Sequence, residues 1–145
     1  MAGKNDKGEA GSVRILLAED EKINQLAMEM LLKQAGFETE AADNGRQVLD
    51  LLAEREFDCV LMDIQMPNMD GLEATRAIRS GSVSESATSI PVFALTAHAM
   101  ESDRNECLNA GMTDFLTKPV VIQDVQRMLR KYGIAGADPD AQSSR

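Results

Sequence analysis

Five polar residues stand at the ends of short apolar runs in this chain, and their types suit phosphoryl chemistry. Glu19 and Asp20 follow the first run, Asp63 the third, Thr96 the fourth, and Lys118 comes just after the fifth. Three clustered carboxylates cannot all stay ionised without compensation, so either one is protonated or a cation lies among them. Mg²⁺ suits such a site because it prefers oxygen ligands. A lysine ammonium and a threonine hydroxyl can bind phosphate oxygens, and an aspartate carboxylate can accept a phosphoryl group. The set therefore predicts metal-assisted formation of an aspartyl phosphate.

The apolar runs have the length and composition of buried β-strands. They cover residues 13–18, 37–41, 59–62, 92–95 and 115–116, and the polar alternation of the second is typical of an edge strand. After each run, apolar residues recur at helical spacing, which predicts five helices. The stripes of the first, fourth and fifth helices are Ile23, Leu26, Ala27, Met30 and Leu31, then Met100, Cys107 and Leu108, then Val121, Ile122, Val125, Met128 and Leu129. We expect Met30, Met62 and Met128 to lie in the core.

Local signals predict where two helices begin and where loops and tails lie. Asn44 with Gln47, and Asp70 with Glu73, have the spacing of capping boxes and predict the starts of the second and third helices. Residues 80–89 are polar and predict a loop. Residues 1–12 and 133–145 are rich in small and polar residues without periodicity, so we expect flexible tails around a domain at 13–132.

Five β-α units in succession predict an α/β fold in three layers, with helices on both faces of a parallel sheet. For five strands the order 2-1-3-4-5 fits the length of the chain. In that order the first and third strands are neighbours, and ligands bind at the carboxyl ends of the strands, where the order reverses. We therefore expect Glu19, Asp20 and Asp63 to converge there, with Thr96 and Lys118 closing over them.

Each of these residues also has a plain structural interpretation. An aspartate after a strand is commonly a helix cap, and paired acids favour a helix N-terminus. The functional interpretation rests on the conjunction of acids, hydroxyl and lysine at four strand ends of one sheet.

Composition excludes several classes of partner. The net charge of −9 argues against direct binding to nucleic acid or to an anionic membrane surface. The chain has no apolar run approaching the ~18 residues of a membrane span and no apolar core of a signal peptide, so we expect a cytoplasmic protein. Cys59 and Cys107 have no Cys-x-x-Cys spacing and are expected to be reduced, buried thiols.

Four stretches of the chain resemble the response-regulator receiver domain, and the resemblance covers about residues 13–132. They are residues 15–20 (ILLAED), 61–71 (LMDIQMPNMDG), 94–97 (ALTA) and 114–119 (DFLTKP). The resemblance implies the flavodoxin-like (βα)5 fold, the same 2-1-3-4-5 sheet and a two-state switch driven by phosphorylation.

The resemblance also implies a role for each site residue. Asp63 would be the phosphoacceptor, and Mg²⁺, for which Mn²⁺ could substitute, would bind Glu19, Asp20, Asp63 and the backbone carbonyl of Gln65. Thr96 and Lys118 would contact the phosphoryl oxygens.

Four positions complete what the resemblance implies. Phe115 would be the aromatic switch residue whose ring turns inward when Thr96 moves, and Gln65 and His98 would tune the lifetime of the phosphoryl group. The peptide bond before Pro119 would be cis. His98 is the one histidine of the chain, and a phosphodonor role for it is disfavoured because no helical bundle surrounds it.

The implied partners are a histidine kinase or a histidine-phosphotransfer domain, and a downstream protein bound at the face of the fourth helix, fifth strand and fifth helix. Residues 21–25 (EKINQ), 73–79 (EATRAIR) and 95–99 (LTAHA) are similar to receivers of hybrid histidine kinases. The alternative subtype is a stand-alone response regulator. Formation of a homodimer is a further possibility that the sequence leaves open. The residues after Tyr132 are too few for a DNA-binding unit, so signalling would pass through a partner or a longer parent chain, itself a histidine kinase.

Three other classes of protein compete with the receiver interpretation. A small aspartyl-phosphate phosphatase would need a second acid at the position of Gln65. We therefore expect no enzymatic activity other than self-directed phosphoryl transfer and autodephosphorylation. An unphosphorylated receiver-like module would normally lack one of the site residues. A flavodoxin-like cofactor binder would need a Gly-rich or Ser/Thr-rich phosphate loop after the first strand, which is absent.

Overall fold

The computed structural model describes residues 13–97 and 100–134. The expected tail at 1–12, all but the first two residues of the one expected at 133–145, and His98 lie outside these residues. The elements alternate in chain order: β1 (Arg14–Ala18), α1 (Lys22–Gln34), β2 (Glu38–Ala42), α2 (Gly45–Glu54), β3 (Cys59–Asp63), α3 (Gly71–Arg79), β4 (Val92–Thr96), α4 (Glu101–Ala110), β5 (Asp114–Thr117) and α5 (Ile122–Lys131). The predicted succession of five β-α units is confirmed.

The five strands form one parallel sheet in the order β2-β1-β3-β4-β5, as predicted. The register aligns the carboxyl ends of the central strands: Ala18 is opposite Met62, and Asp63 is opposite Leu95. At the other side of β4, Thr96 is opposite Thr117. The residues that follow β1, β3, β4 and β5 therefore meet at one edge of the sheet.

Alternate residues of the central strands supply two cores, because successive side chains of a strand point to opposite faces. Leu16, Val60 and Ala94 pack with α2, α3 and the buried Cys107 of α4. Their neighbours along the strands pack on the other face with α1 and α5, through side chains that include Ile15, Leu61, Phe93, Leu32, Val125 and Leu129. The fold is the predicted three-layer sandwich.

The two predicted capping boxes differ. Asp70 accepts a hydrogen bond from the backbone N–H of Glu73, and the Glu73 carboxylate accepts one from the Asp70 N–H, so this box is complete. Asn44 caps α2 by accepting from the Gln47 N–H. The Gln47 side chain, however, accepts a hydrogen bond from the N–H of Asp43 and not from that of Asn44. The reciprocal bond of the Asn44 box is therefore displaced by one residue.

The apolar stripe predicted for α1 does not face the core. Met30 is 61% exposed, and Ile23 and Leu26 are also exposed. Leu32 is the buried apolar residue of α1, and Met28 packs against the same core. The expectation that Met30 lies in the core is therefore wrong, because α1 carries two apolar faces and the sheet takes the one with Leu32.

The stripe of α4 is thinner than predicted. Cys107 is buried, but Met100 and Leu108 are exposed. On α5 the stripe is confirmed at Val125 and Leu129, whereas Val121 is exposed. Polar residues fill most of α4, so little beyond Cys107 and Ala110 fixes it to the sheet.

Both cysteines are free and buried, as predicted, and burial raises the pKa of the Cys59 thiol. Across residues 13–97 and 100–134, every helix is too short or too polar to cross a bilayer.

Candidate functional site: an acidic cleft at the carboxyl edge of the sheet

The structure brings Glu19, Asp20 and Asp63 together. One carboxylate oxygen from each lies within 4.8 Å of the others. Glu19 and Asp63 are buried, whereas Asp20 is exposed. The cause is topological: β1 and β3 are adjacent and parallel, so the residues that end them are neighbours although 43 or 44 positions separate them.

Lys118 reaches the same acids from β5. Its Nζ lies 3.2 Å from Oδ2 of Asp63 and 3.5 Å from Oε1 of Glu19. Its backbone N–H donates to the carbonyl of Thr96 at 2.7 Å, which continues the β4–β5 ladder beyond Thr117. The Lys118–Pro119 peptide bond is cis, as the sequence predicted.

Two groups of the cluster, Glu19 and Lys118, have pKa values above their usual ones. Burial raises the pKa of Glu19; the N–H of Glu21 lowers it, and the charge of Asp63 raises it again. Burial acts to lower the pKa of Lys118, but attraction to Asp63 and Glu19 outweighs it, so that pKa lies above its usual value. Lys118 therefore offsets only in part the effects of burial and of the Asp63 charge on Glu19.

The loop after Asp63 is held against it. The N–H of Gln65 donates to Oδ1 of Asp63 at 3.3 Å. Gly71, which begins α3, passes so close that a Cβ there would lie 2.4 Å from the carbonyl oxygen of Asp63. Only glycine permits this approach, and the Asp70 cap then fixes the direction of the helix.

A cleft of about 730 Å³ opens above these residues. Asp63 is 7% exposed at its wall, and Thr96, Ala97 and Gln65 also line it. The structure adds two residues that the sequence did not predict, Asp103 and Glu106 of α4. Their spacing of three places both on one side of a helix, but no pattern in the sequence indicates which side faces the cleft.

Phe115 lies on β5 and is half-buried against the core that includes Cys107 of α4. The guanidinium carbon of Arg104 stands 4.9 Å from the centre of its ring, within the range of a cation–π contact. The predicted switch residue is therefore packed against α4. His98, the predicted lifetime residue, lies outside the described residues.

The donor set is suited to a hard divalent cation. All the clustered atoms are carboxylate oxygens, and one acid is open to solvent. Burial, and after it the charge of Asp63, disfavours the ionised form of Glu19, and a cation would favour that form. Mg²⁺ commonly takes one or two carboxylates and completes its octahedron with water and phosphate oxygens, which the cleft has room to admit. The residues present therefore fit magnesium.

An open parallel sheet of this order, with three acids and a lysine at its carboxyl edge, defines a class of signalling domain that receives phosphoryl groups. The response regulator receiver domain family matches residues 15–130 of the chain, and the chain belongs to that family. The recognition and fold inferred from the sequence are confirmed.

Similar curated proteins are a sensor protein and a hybrid histidine kinase. The chain is 39% identical over 127 residues to the sensor protein GacS of Pseudomonas syringae pv. syringae. This match covers 87% of the chain and 14% of GacS. It is 44% identical over 112 residues to hybrid signal transduction histidine kinase I of Dictyostelium discoideum, covering 74% of the chain and 6% of the relative. The chain thus spans only a small part of these proteins.

Solved structures agree with this assignment. The receiver domain of sensor histidine kinase PA1611 from Pseudomonas aeruginosa, which has a magnesium ion in its active site cleft, gives a TM-score of 0.76 at 37% identity, covering 83% of this chain and 97% of that one. A second match is a chain of the Saccharomyces cerevisiae complex between the phosphotransfer protein Ypd1 and the receiver domain of Ssk1. Its TM-score is 0.77 at 28% identity, and the match covers 90% of this chain and 94% of that one. The chain is a receiver domain of the two-component and phosphorelay type.

Proposed function

We propose that Asp63 accepts a phosphoryl group from a phosphohistidine of a partner protein. The observation that carries the proposal is the position of the Asp63 carboxylate, in the wall of the acidic cleft and 3.2 Å from the Lys118 ammonium. An oxygen of Asp63 attacks phosphorus, the phosphorus–nitrogen bond breaks, and its electron pair leaves with the imidazole. The product is an acyl phosphate on Asp63.

The proposed metal ligands are Glu19, Asp20, Asp63 and the backbone carbonyl of Gln65. When bound there, Mg²⁺ (or Mn²⁺) would neutralise the carboxylates and hold a phosphoryl oxygen in line. The magnesium ion in the active site cleft of the PA1611 receiver, at 37% identity, supports a magnesium site in this cleft. Lys118 and the hydroxyl of Thr96 then stabilise the charge that develops on the remaining phosphoryl oxygens.

The proposed switch runs from Thr96 to Phe115. Movement of Thr96 toward the phosphoryl group makes room for the Phe115 ring, which leaves its contact with Arg104. The face formed by α4, β5 and α5 then repacks and binds the downstream protein. The weak apolar attachment of α4 supports this, because an element with few buried side chains moves at low free-energy cost.

The apolar side of α1 is the proposed docking surface for the phosphodonor. Ile23, Leu26, Met30 and Leu31 are exposed beside a groove of about 440 Å³ that α1 forms with residues 118–120. Glu19 and Lys118 line both this groove and the acidic cleft, so a helix resting on α1 would lie next to Asp63. The Ypd1 complex supports a histidine-phosphotransfer domain as the occupant, and a histidine kinase is the alternative donor.

The domain itself is proposed to be a phosphoacceptor and not a turnover enzyme. Gln65 stands two residues after Asp63, where an aspartyl-phosphate phosphatase would need an acid to protonate the leaving group, and a carboxamide cannot do so. Self-directed transfer from small donors and autodephosphorylation remain within its chemistry. The similarity to hybrid kinases supports a cytoplasmic module of such a kinase.

Intact mass after incubation with acetyl phosphate and Mg²⁺ tests the proposal. We expect the mass of one phosphoryl group, lost with EDTA and in Asp63→Asn. The matched control is Asp58→Asn, since Asp58 is an aspartate at the opposite end of β3. This variant should be phosphorylated like the parent. Absence of modification of the parent by acetyl phosphate and by a phosphorylated histidine-phosphotransfer protein would refute the function.

A further inference from the structure

Gln25 of α1 is a buried polar residue for which neither the fold nor the proposed chemistry has given a role. It is 4% exposed, on the face of α1 that packs on the sheet. Its Nε2 lies 2.8 Å from the carbonyl oxygen of Glu19, 2.9 Å from Oδ1 of Asp43 and 3.3 Å from the carbonyl oxygen of Ala42. Its Oε1 accepts from the ammonium of Lys22 at 3.1 Å. One carboxamide therefore joins α1 to the ends of both β1 and β2.

These bonds fix the peptide unit between the two adjacent acids. The N–H of Glu19 donates to the carbonyl of Ala42 at 3.1 Å, so Glu19 is held on its amino side by β2. On its carboxyl side the carbonyl is held by Gln25. Since the carbonyl of Glu19 and the N–H of Asp20 belong to one planar peptide unit, the bond from Gln25 sets the direction in which the chain enters Asp20.

Gln25 does not line the acidic cleft, so it would act only through the acids. We infer that Gln25 is a positioning residue of the magnesium site, which holds the backbone between Glu19 and Asp20 so that both carboxylates face Asp63. This inference rests on the proposed magnesium site. Groups that orient metal ligands without touching the metal commonly change its affinity roughly 10-fold or more.

The test is the Mg²⁺ dissociation constant of the full chain, read from backbone amide shifts in an NMR titration without any phosphodonor. Gln25→Leu removes every polar bond of the side chain. Gln25→Glu keeps its size and its acceptor for Lys22 but loses the donor to Glu19. We expect both variants to raise the dissociation constant roughly 10-fold. Their phosphorylation by acetyl phosphate should return toward the parent rate at saturating Mg²⁺.

Thr113→Val is the matched control for a general loss of stability. The Thr113 hydroxyl accepts from the N–H of Val92 at 3.0 Å, at the end of the sheet remote from the acids. This variant should lower the melting temperature and leave the Mg²⁺ dissociation constant unchanged. Equal dissociation constants for the parent and both Gln25 variants, or an equal rise in Thr113→Val, would overturn the inference.

A measurement on the parent covers the case in which the Gln25 variants do not fold. The side-chain NH₂ signals of Gln25 should exchange slowly with water and should move along the same Mg²⁺ titration curve as the backbone amide of Asp20. Signals that stay fixed throughout the titration would overturn the positioning role. If the parent shows no Mg²⁺ binding at all, the magnesium site itself fails, which is a separate result.

Discussion

The ammonium of Lys118 lies 3.2 Å from Oδ2 of Asp63, although β4 separates their two strands in the sheet. Lys118 follows β5 and spans the end of β4 to reach the acid at the end of β3. The lysine therefore stands where the oxygens of a phosphoryl group on Asp63 would arrive. It is also the cation that partly balances Glu19, at 3.5 Å.

Removing this ammonium should separate the binding of metal from the transfer of phosphate. In Lys118→Met we expect phosphorylation by acetyl phosphate to slow roughly 100-fold, because one stabilising donor of the developing charge is lost. Mg²⁺ should bind more tightly, since the acids lose their competing cation. Rates and NMR titrations measure the two effects. Lys131→Met, at a lysine paired with Asp114, is the control. Unchanged phosphorylation in Lys118→Met would contradict the role.

A charge on the exposed face of α1 should impair transfer from a protein donor only. Leu26 is 53% exposed on α1, and Leu108 is 54% exposed on α4, so Leu26→Asp and Leu108→Asp form a matched pair. We expect Leu26→Asp to lower kcat/KM for a phosphorylated histidine-phosphotransfer protein roughly tenfold, because an apolar contact at the interface is lost. Acetyl phosphate should modify both variants like the parent. Equal effects of the two substitutions on the protein donor would place the docking surface elsewhere.

Asp114 should make stability depend on acid pH. It accepts hydrogen bonds from the hydroxyl of Tyr132 at 2.6 Å, the N–H of Phe115 at 2.8 Å and the ammonium of Lys131 at 3.1 Å. Burial acts to raise the pKa of Asp114, but these bonds outweigh it, and the pKa lies below its usual 3.8. A carboxyl whose pKa is lowered by folding stabilises the fold above its unfolded pKa and loses that contribution as pH falls through the folded pKa.

Asp114→Asn should accordingly lower the free energy of unfolding at neutral pH by about 1 kcal/mol, allowing for solvent around the pair. The difference from the parent should shrink as the pH falls below about 4. Urea unfolding at several pH values measures it, and Asp124→Asn on the surface of α5 is the control. A difference that stays constant down to acid pH would show that charge on Asp114 is not the cause.

The proposed motion of the switch residue can be followed by fluorescence, because the chain contains no tryptophan. In Phe115→Trp the indole should begin beside the Arg104 guanidinium and turn inward when Mg²⁺ and beryllium fluoride, a phosphoryl mimic, are added. We expect a shift of the emission maximum that is absent in the double variant with Asp63→Asn. The same shift in the double variant would dissociate ring movement from the phosphoryl site.

The sequence predicted the strand order and the meeting of the acids because these follow from topology. Five β-α units leave few arrangements of a parallel sheet, and the strand ends then bring Glu19, Asp20 and Asp63 to one edge. The reach of Lys118 followed from the same topology, whereas the complete capping box at Asp70 followed from a local motif.

The orientation of α1 could not be predicted from periodicity, since Leu32 and Met28 form one apolar side of the helix and Leu26 and Met30 form another. Packing of the whole domain selects between them. The same holds for Gln25, whose burial depends on carbonyl groups of β1 and β2 that are distant in sequence. A polar residue paired with distant backbone atoms leaves no local signal.

Identification of the modified residue tests the central claim most directly. Sodium borohydride reduces an aspartyl phosphate to homoserine, so the chain treated with acetyl phosphate and Mg²⁺, then with borohydride, should carry homoserine at position 63 in peptide mass spectra. No such residue should form without Mg²⁺ or in Asp63→Asn. Homoserine at another aspartate, or a phosphorylated chain without homoserine at position 63, would contradict the account.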